Sequence, residues 1–91
     1  MTTKTKFDLG RILITPNAQS QLNPFDVMNA TLRHAACDWG ECEAQDRHAN
    51  DDALIHSGRI FSVYRDRSGL KFWIITEAGR HATTILLPED Y

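Results

Sequence analysis

Ninety-one residues leave room for one domain with a modest core, and an apolar share of 42% beside 24% charged residues is that of an ordinary globular chain. Ten basic residues against twelve acidic ones give a net charge of −2, which excludes a uniformly basic surface and with it strong nonspecific binding to DNA. No apolar run approaches the ~20 residues of a membrane span, so a cytoplasmic protein with no membrane association is expected.

Met1 to Lys6 is polar with no apolar stretch behind its lysines, and reads as a flexible tail at the start of a single domain covering residues 1 to 91. Leu9 to Thr15 reads as a short strand. Thr15-Pro16-Asn17-Ala18 then carries a helix start, threonine capping and proline at the first helical position, and Asn23-Pro24 repeats it. In the second helix Phe25, Met28, Leu32 and Ala35 or Ala36 recur at helical spacing, which predicts that this stripe lies on a sheet. A third helix is expected from about Glu43 to Ile55, with Ala49, Ala53 and Leu54 inward and His56-Ser57-Gly58 as its stop.

Three antiparallel strands follow. Arg59 to Arg65 alternates, with Ile60, Ser62 and Tyr64 on one face and Phe61 and Val63 on the other. Asp66-Arg67-Ser68-Gly69 supplies turn chemistry, and Lys71 to Glu77 holds a near-continuous apolar run suited to a central strand. After the Ala78-Gly79-Arg80 turn, Thr83 to Leu87 returns until Pro88, which cannot donate a ladder bond, ends the strand. The fold class is therefore α+β: a short N-terminal strand, two or three helices, then a three-stranded antiparallel meander with the helices packed on one face of the sheet.

Charge is unevenly placed. Residues 1 to 36 sum to +2, residues 37 to 52 to −5 and residues 53 to 91 to +1. Acidic residues favour a helix N-terminus through its dipole, so Glu41 and Glu43 serve as a helix start; a negative patch for a basic partner is the other reading of segment 38 to 52. Asp38-Trp39-Gly40 also has two readings. Tryptophan caps the core edge over a glycine turn, or stands exposed as an interface anchor.

Leu32-Arg33-His34, Asp38-Trp39-Gly40, Asn50, Tyr64, Trp73 to Ala78, Arg80, Thr83-Thr84 and Leu86 to Tyr91 together resemble a family of small bacterial proteins carried on plasmids and other mobile elements. Some members bear a label suggesting a type I restriction or methylation subunit. Methyl transfer is not supported, because no glycine-rich nucleotide loop follows a strand and the chain is too short for a methyltransferase domain. What the resemblance implies is a mobile-element setting for an accessory protein.

The order of elements is also similar to that of small metal-independent ribonucleases of the RelE and barnase-like groups. On that likeness His34 or His56 would act as base and acid, Arg59, Arg65 or Arg80 as cation, and Tyr64, Thr83, Thr84 or Tyr91 as positioning groups, the core of the set being His34, Arg80, Thr84 and Tyr64. Each residue also has a plain structural role open to it, as a strand former or core side chain. His34, Cys37, Cys42 and His48 match the donor types zinc prefers, but a five-residue cysteine spacing departs from that of zinc ribbons, so no metal and no cofactor is expected. Nor do two such cysteines make a disulfide framework.

With no complete catalytic set in view, the expected activity is noncatalytic: binding to a host or plasmid protein engaged in defence or DNA processing, with a ribonuclease as the alternative. Homo-oligomers are compatible with either. The expected binding residues are Arg33, His34, Asp38, Trp39, Glu77, Arg80 and Tyr91, on or beside the sheet.

Overall fold

The computed structural model describes residues 5–91. Strand β1 (Arg11–Ile14) leads into helices α1 (Pro16–Gln21), α2 (Pro24–Ala35) and α3 (Ala44–His56); strands β2 (Ile60–Arg65), β3 (Lys71–Thr76) and β4 (Ala82–Leu86) follow, and a 3₁₀ turn (Pro88–Asp90) closes the chain. Both proline-marked helix starts form. Thr15 Oγ1 accepts from the Ala18 N–H at 3.2 Å, and Asn23 Oδ1 accepts from the N–H groups of Phe25 and Asp26 at 2.9 and 3.2 Å, which satisfies donors that the first helical turn leaves free.

The α+β fold and the meander agree with the sequence reading, but the four-stranded sheet is mixed. Its order is β1-β4-β3-β2, with β1 parallel to β4 and the remaining pairs antiparallel. Parallel pairing follows from connectivity: three helices and two strands carry the chain back before β4 runs beside β1 in the same direction. In register, Tyr64 faces Phe72, Ser62 faces Ile74, Ile74 faces Ile85, and Ile14 faces Ile85 from the other side. These residues define one face, which meets Ala18, Leu22 and Ala30 from α1 and α2 in the main core. On the opposite face Trp73 packs edge-on against Tyr91, ring centroids 5.7 Å apart.

Helix α3 lies along β2. Its Asn50 is buried, and the side-chain amide accepts from the Phe61 N–H at 3.0 Å and donates to the Phe61 carbonyl at 2.6 Å. Two residues further along, the Val63 N–H donates to Trp39 O at 3.3 Å and Val63 O accepts from the Glu41 N–H at 2.7 Å. Phe61 and Val63, two of the three outward-facing residues of that edge, are thus paired, which blocks most of β2 from templating another strand. Gly40 sits between them at φ +69°, where a Cβ would collide with the Val63 carbonyl and the Tyr64 ring.

Two details of α3 and the tail differ from expectation. Ala53 is buried as expected, whereas Ala49 and Leu54 are exposed; the inward position goes to Asn50 because the helix faces a strand edge that needs polar partners. Residues 1 to 4 of the expected tail lie outside the described residues, but Lys6 is tied down, its N–H donating to Ala35 O at 2.8 Å.

Candidate functional site: an apolar groove between helix and strand

Helix α2 carries two apolar stripes, and the sheet takes the less obvious one. Val27, Ala30 and His34 pack inward, where small side chains allow the helix to approach the sheet closely. Of the expected core stripe only Ala35 is buried; Phe25 is 70% exposed, Met28 64% and Leu32 45%. Across from it, β1 exposes Ile12 by 55% and Leu13 by 41%. Between helix and strand runs a groove of about 400 Å³ lined by Met28 and Leu32 on one wall and Ile12 and Ile14 on the other, with Ile85 in its lining. Nearly all of that lining is apolar.

One wall is also an open sheet edge. The N–H groups of Arg11 and Thr15 donate to His81 O and Ile85 O, each at 3.0 Å, so the alternate residues Ile12 and Ile14 direct their backbone groups away from β4. Among the described residues no other segment bonds to the N–H of either. Gly10, at φ +65°, places the chain so close to the His81 backbone that a Cβ would overlap it, which fixes where β1 begins.

A buried polar chain joins the two walls. Thr83 Oγ1 donates to Leu9 O at 2.7 Å, so it accepts from Thr76 Oγ1, also at 2.7 Å. With its proton so used, Thr76 accepts from His34 Nε2–H at 2.9 Å, and His34 Nδ1 accepts from Ser62 Oγ–H at 2.6 Å. His34 is therefore the neutral Nε2–H tautomer, fully buried beneath Phe7 and Trp39, and burial pulls its pKa down to about 4. The chain runs from α2 through β3 and β4 to the residue that leads into β1.

The residues singled out from sequence are not gathered into one site. Arg33 and Asp38 form a bidentate pair, Nε to Oδ2 at 2.7 Å and Nη2 to Oδ1 at 3.2 Å, which holds the Asp38 carboxyl below its ordinary pKa. The Arg33 guanidinium also lies over the Tyr64 ring, whose hydroxyl donates to Asp38 O at 2.6 Å. Trp39 is 4% exposed and packs in the secondary core, so it is a core cap and not an exposed anchor. Arg80 donates to the carbonyls of Gly58, Ala53 and Glu77 at 2.6, 3.0 and 3.2 Å, binding the end of α3 to the β3–β4 turn; Glu77 is half-buried beside it. Tyr91 is exposed and accepts from Arg59 at 2.7 Å.

Ribonuclease geometry is not assembled from His34, Arg80, Thr84 and Tyr64. His34 has both ring nitrogens engaged inside the core and no path to an RNA 2′-hydroxyl, and Thr84 lies on the opposite face of the sheet. His56 is exposed at the end of α3. The zinc donors are likewise apart in role: Cys42 is buried with its thiol donating to Phe61 O at 3.3 Å, His48 is exposed on α3, and burial raises both Cys37 and Cys42 thiols. Among the described residues no three His, Cys, Asp or Glu side chains group to hold a metal. Nor is any described helix long and apolar enough to cross a membrane.

The sequence reading placed Met28 and Leu32, the groove's helical wall, against the sheet. A signal for the inversion existed in the spacing Val27, Ala30, His34, a second helical stripe whose histidine disguised it as polar. No protein-family model matches the chain, and neither the curated proteins nor the solved structures include a significant match. What defines the molecule is its geometry: a mixed sheet with one edge covered by the Asn50 side chain and the backbone of residues 39 to 41, and the other left open beside an apolar helix face.

Proposed function

We propose that this chain is a noncatalytic binding protein that works through the groove between α2 and β1, as an accessory of a plasmid or other mobile element. The observation that supports it is the exposure of Met28 and Leu32 on α2 facing Ile12 on β1 across an apolar groove, beside a strand edge that is free on its outer side. Exposed apolar side chains on this scale mark interaction surfaces in soluble proteins, and an open edge supplies directional backbone bonds to whatever docks. The mobile-element setting rests on the resemblance carried by Asp38-Trp39-Gly40 and the closing strands.

The test pairs function with surface. Bound protein is captured from the native host with wild type and with Met28→Glu, and any partner lost in the variant is purified and titrated against both. Retained affinity in Met28→Glu would remove the groove as the binding site. RNA cleavage on induced expression, absent in His34→Ala, would instead require a catalytic account.

A further inference from the structure

We infer that the groove is filled by a second copy of this chain, the two β1 strands pairing antiparallel about a two-fold axis through Leu13. The inference rests on the binding reading above and names its occupant. Since Ile12 and Ile14 are the residues whose backbone groups point outward, the one symmetric register that bonds them sets Ile12 opposite Ile14 of the second copy, and Leu13 opposite Leu13. Each copy then donates two bonds and accepts two, and the joined sheet has eight strands.

Three observations favour a second copy over a foreign strand. First, the ridge and the groove are on the same surface: the Met28 and Leu32 ridge borders the groove that Ile12 and Ile14 wall, so a two-fold brings the two apolar α2 faces together across the new sheet. Second, charge is complementary in this register. Arg11 is exposed and makes no ion pair among the described residues; it falls opposite Thr15 of the second copy, whose hydroxyl donates to Asp90 at 2.6 Å. The Asp90 carboxylate, held below its ordinary pKa by Thr15, by the Leu87 N–H and by Asn17, is thereby placed near an unpaired guanidinium. Third, the area suffices. Met28, Leu32 and Ile12 on the helix side of the edge and Leu13 on the other side present roughly 400 Å² of surface per copy, and with the strand edge and rim the pair comes to about the 1,200 Å² that stable interfaces need.

Register and occupant are tested together. Light scattering and sedimentation from ~1 µM to ~0.5 mM should show a dimer that weakens at least tenfold in Arg11→Glu and in Met28→Glu, both chosen on exposed positions so that circular dichroism remains that of the wild type. Leu13→Cys should form a covalent dimer under mild oxidation, because two such residues face each other on the axis. Wild type, with Cys37 and Cys42 only, and Ile12→Cys, which faces residue 14, should cross-link far less. A monomer throughout the concentration range overturns the inference, as does a dimer untouched by Met28→Glu or cross-linking equal in Ile12→Cys and Leu13→Cys. If the chain is a monomer yet still binds a purified partner through Met28, self-association fails and the binding reading stands; if Met28→Glu alters neither, both fail.

Discussion

Asn50 and Phe61 are bonded twice, the side-chain amide of one taking both backbone groups of the other at 3.0 and 2.6 Å. A side chain on α3 thereby stands where a fifth strand would. Asn50→Ala should cost about 2–4 kcal/mol, since it leaves a buried donor and acceptor without partners, and urea denaturation will read it. Asn50→Asp keeps the acceptor and sets a carboxylate against the Phe61 carbonyl. Its deficit relative to wild type should be largest at neutral pH and shrink as the carboxyl becomes protonated.

Acid should loosen the core through His34 before it reaches the carboxylates. The folded pKa of about 4 lies below the ordinary 6.5, so the unfolded chain binds the proton first and stability falls as pH drops from about 6.5 to about 4. A shift of that size corresponds to on the order of 3 kcal/mol. Asp26, Asp38, Asp66 and Asp90 are all shifted downward by hydrogen bonds, so their contributions are present above the unfolded carboxylate pKa and lost only as pH falls below it. Stability curves at pH 7.5, 5.5 and 4.0 should show the loss in wild type, and His34→Gln should lack this part of the slope.

Thr76→Val preserves shape and cuts the polar chain between α2 and β1. It strips His34 Nε2–H and Thr83 Oγ1 of a partner, for an expected loss of about 2 kcal/mol. Hydrogen exchange should quicken at the amides of Arg11 and Thr15 more than at those of β2, because β1 is the element the chain anchors.

Gly40→Ala should be among the most damaging single-methyl changes. It combines a left-handed backbone at φ +69° with overlap against Val63 and Tyr64, and about 3 kcal/mol of destabilisation is expected. Thermal melting with an intact Arg33–Asp38 pair isolates the steric effect.

Ser57→Gly should stabilise. Ser57 ends α3 at φ 58°, is exposed, and its side chain makes no hydrogen bond among the described residues, so glycine relieves left-handed strain at a helix stop. A gain of about 1 kcal/mol, seen as a raised urea midpoint with unchanged slope, is the expected result.

Local chemistry carried much of the fold into the sequence. Thr15-Pro16 and Asn23-Pro24 start helices, Gly69 turns β2 into β3 and Pro88 stops β4, because each depends on neighbours within four residues. The parallel pairing of β1 with β4 depends on residues some seventy positions apart, and no local signal distinguishes it from an antiparallel edge. The site was hidden for a related reason. Hydrophobic spacing ranks a stripe of Phe25, Met28 and Leu32 above one of Val27, Ala30 and His34, while close packing and the hydroxyls of Ser62 and Thr76 reverse that order. Trp39 shows the opposite case, since its core role was one of two readings and its burial decides between them.

The pairing of β1 with β4 also orders events in time. As the chain leaves the ribosome, residues 11–14 have no backbone partner until residues 82–85 appear, and through that interval α2 has only the β2–β3 hairpin, and no wall of β1, beside it. The groove is consequently the last part of the molecule to exist. A nascent or shortened chain lacking β4 has the apolar residues but not the surface, so docking reports that the final strand has found its place.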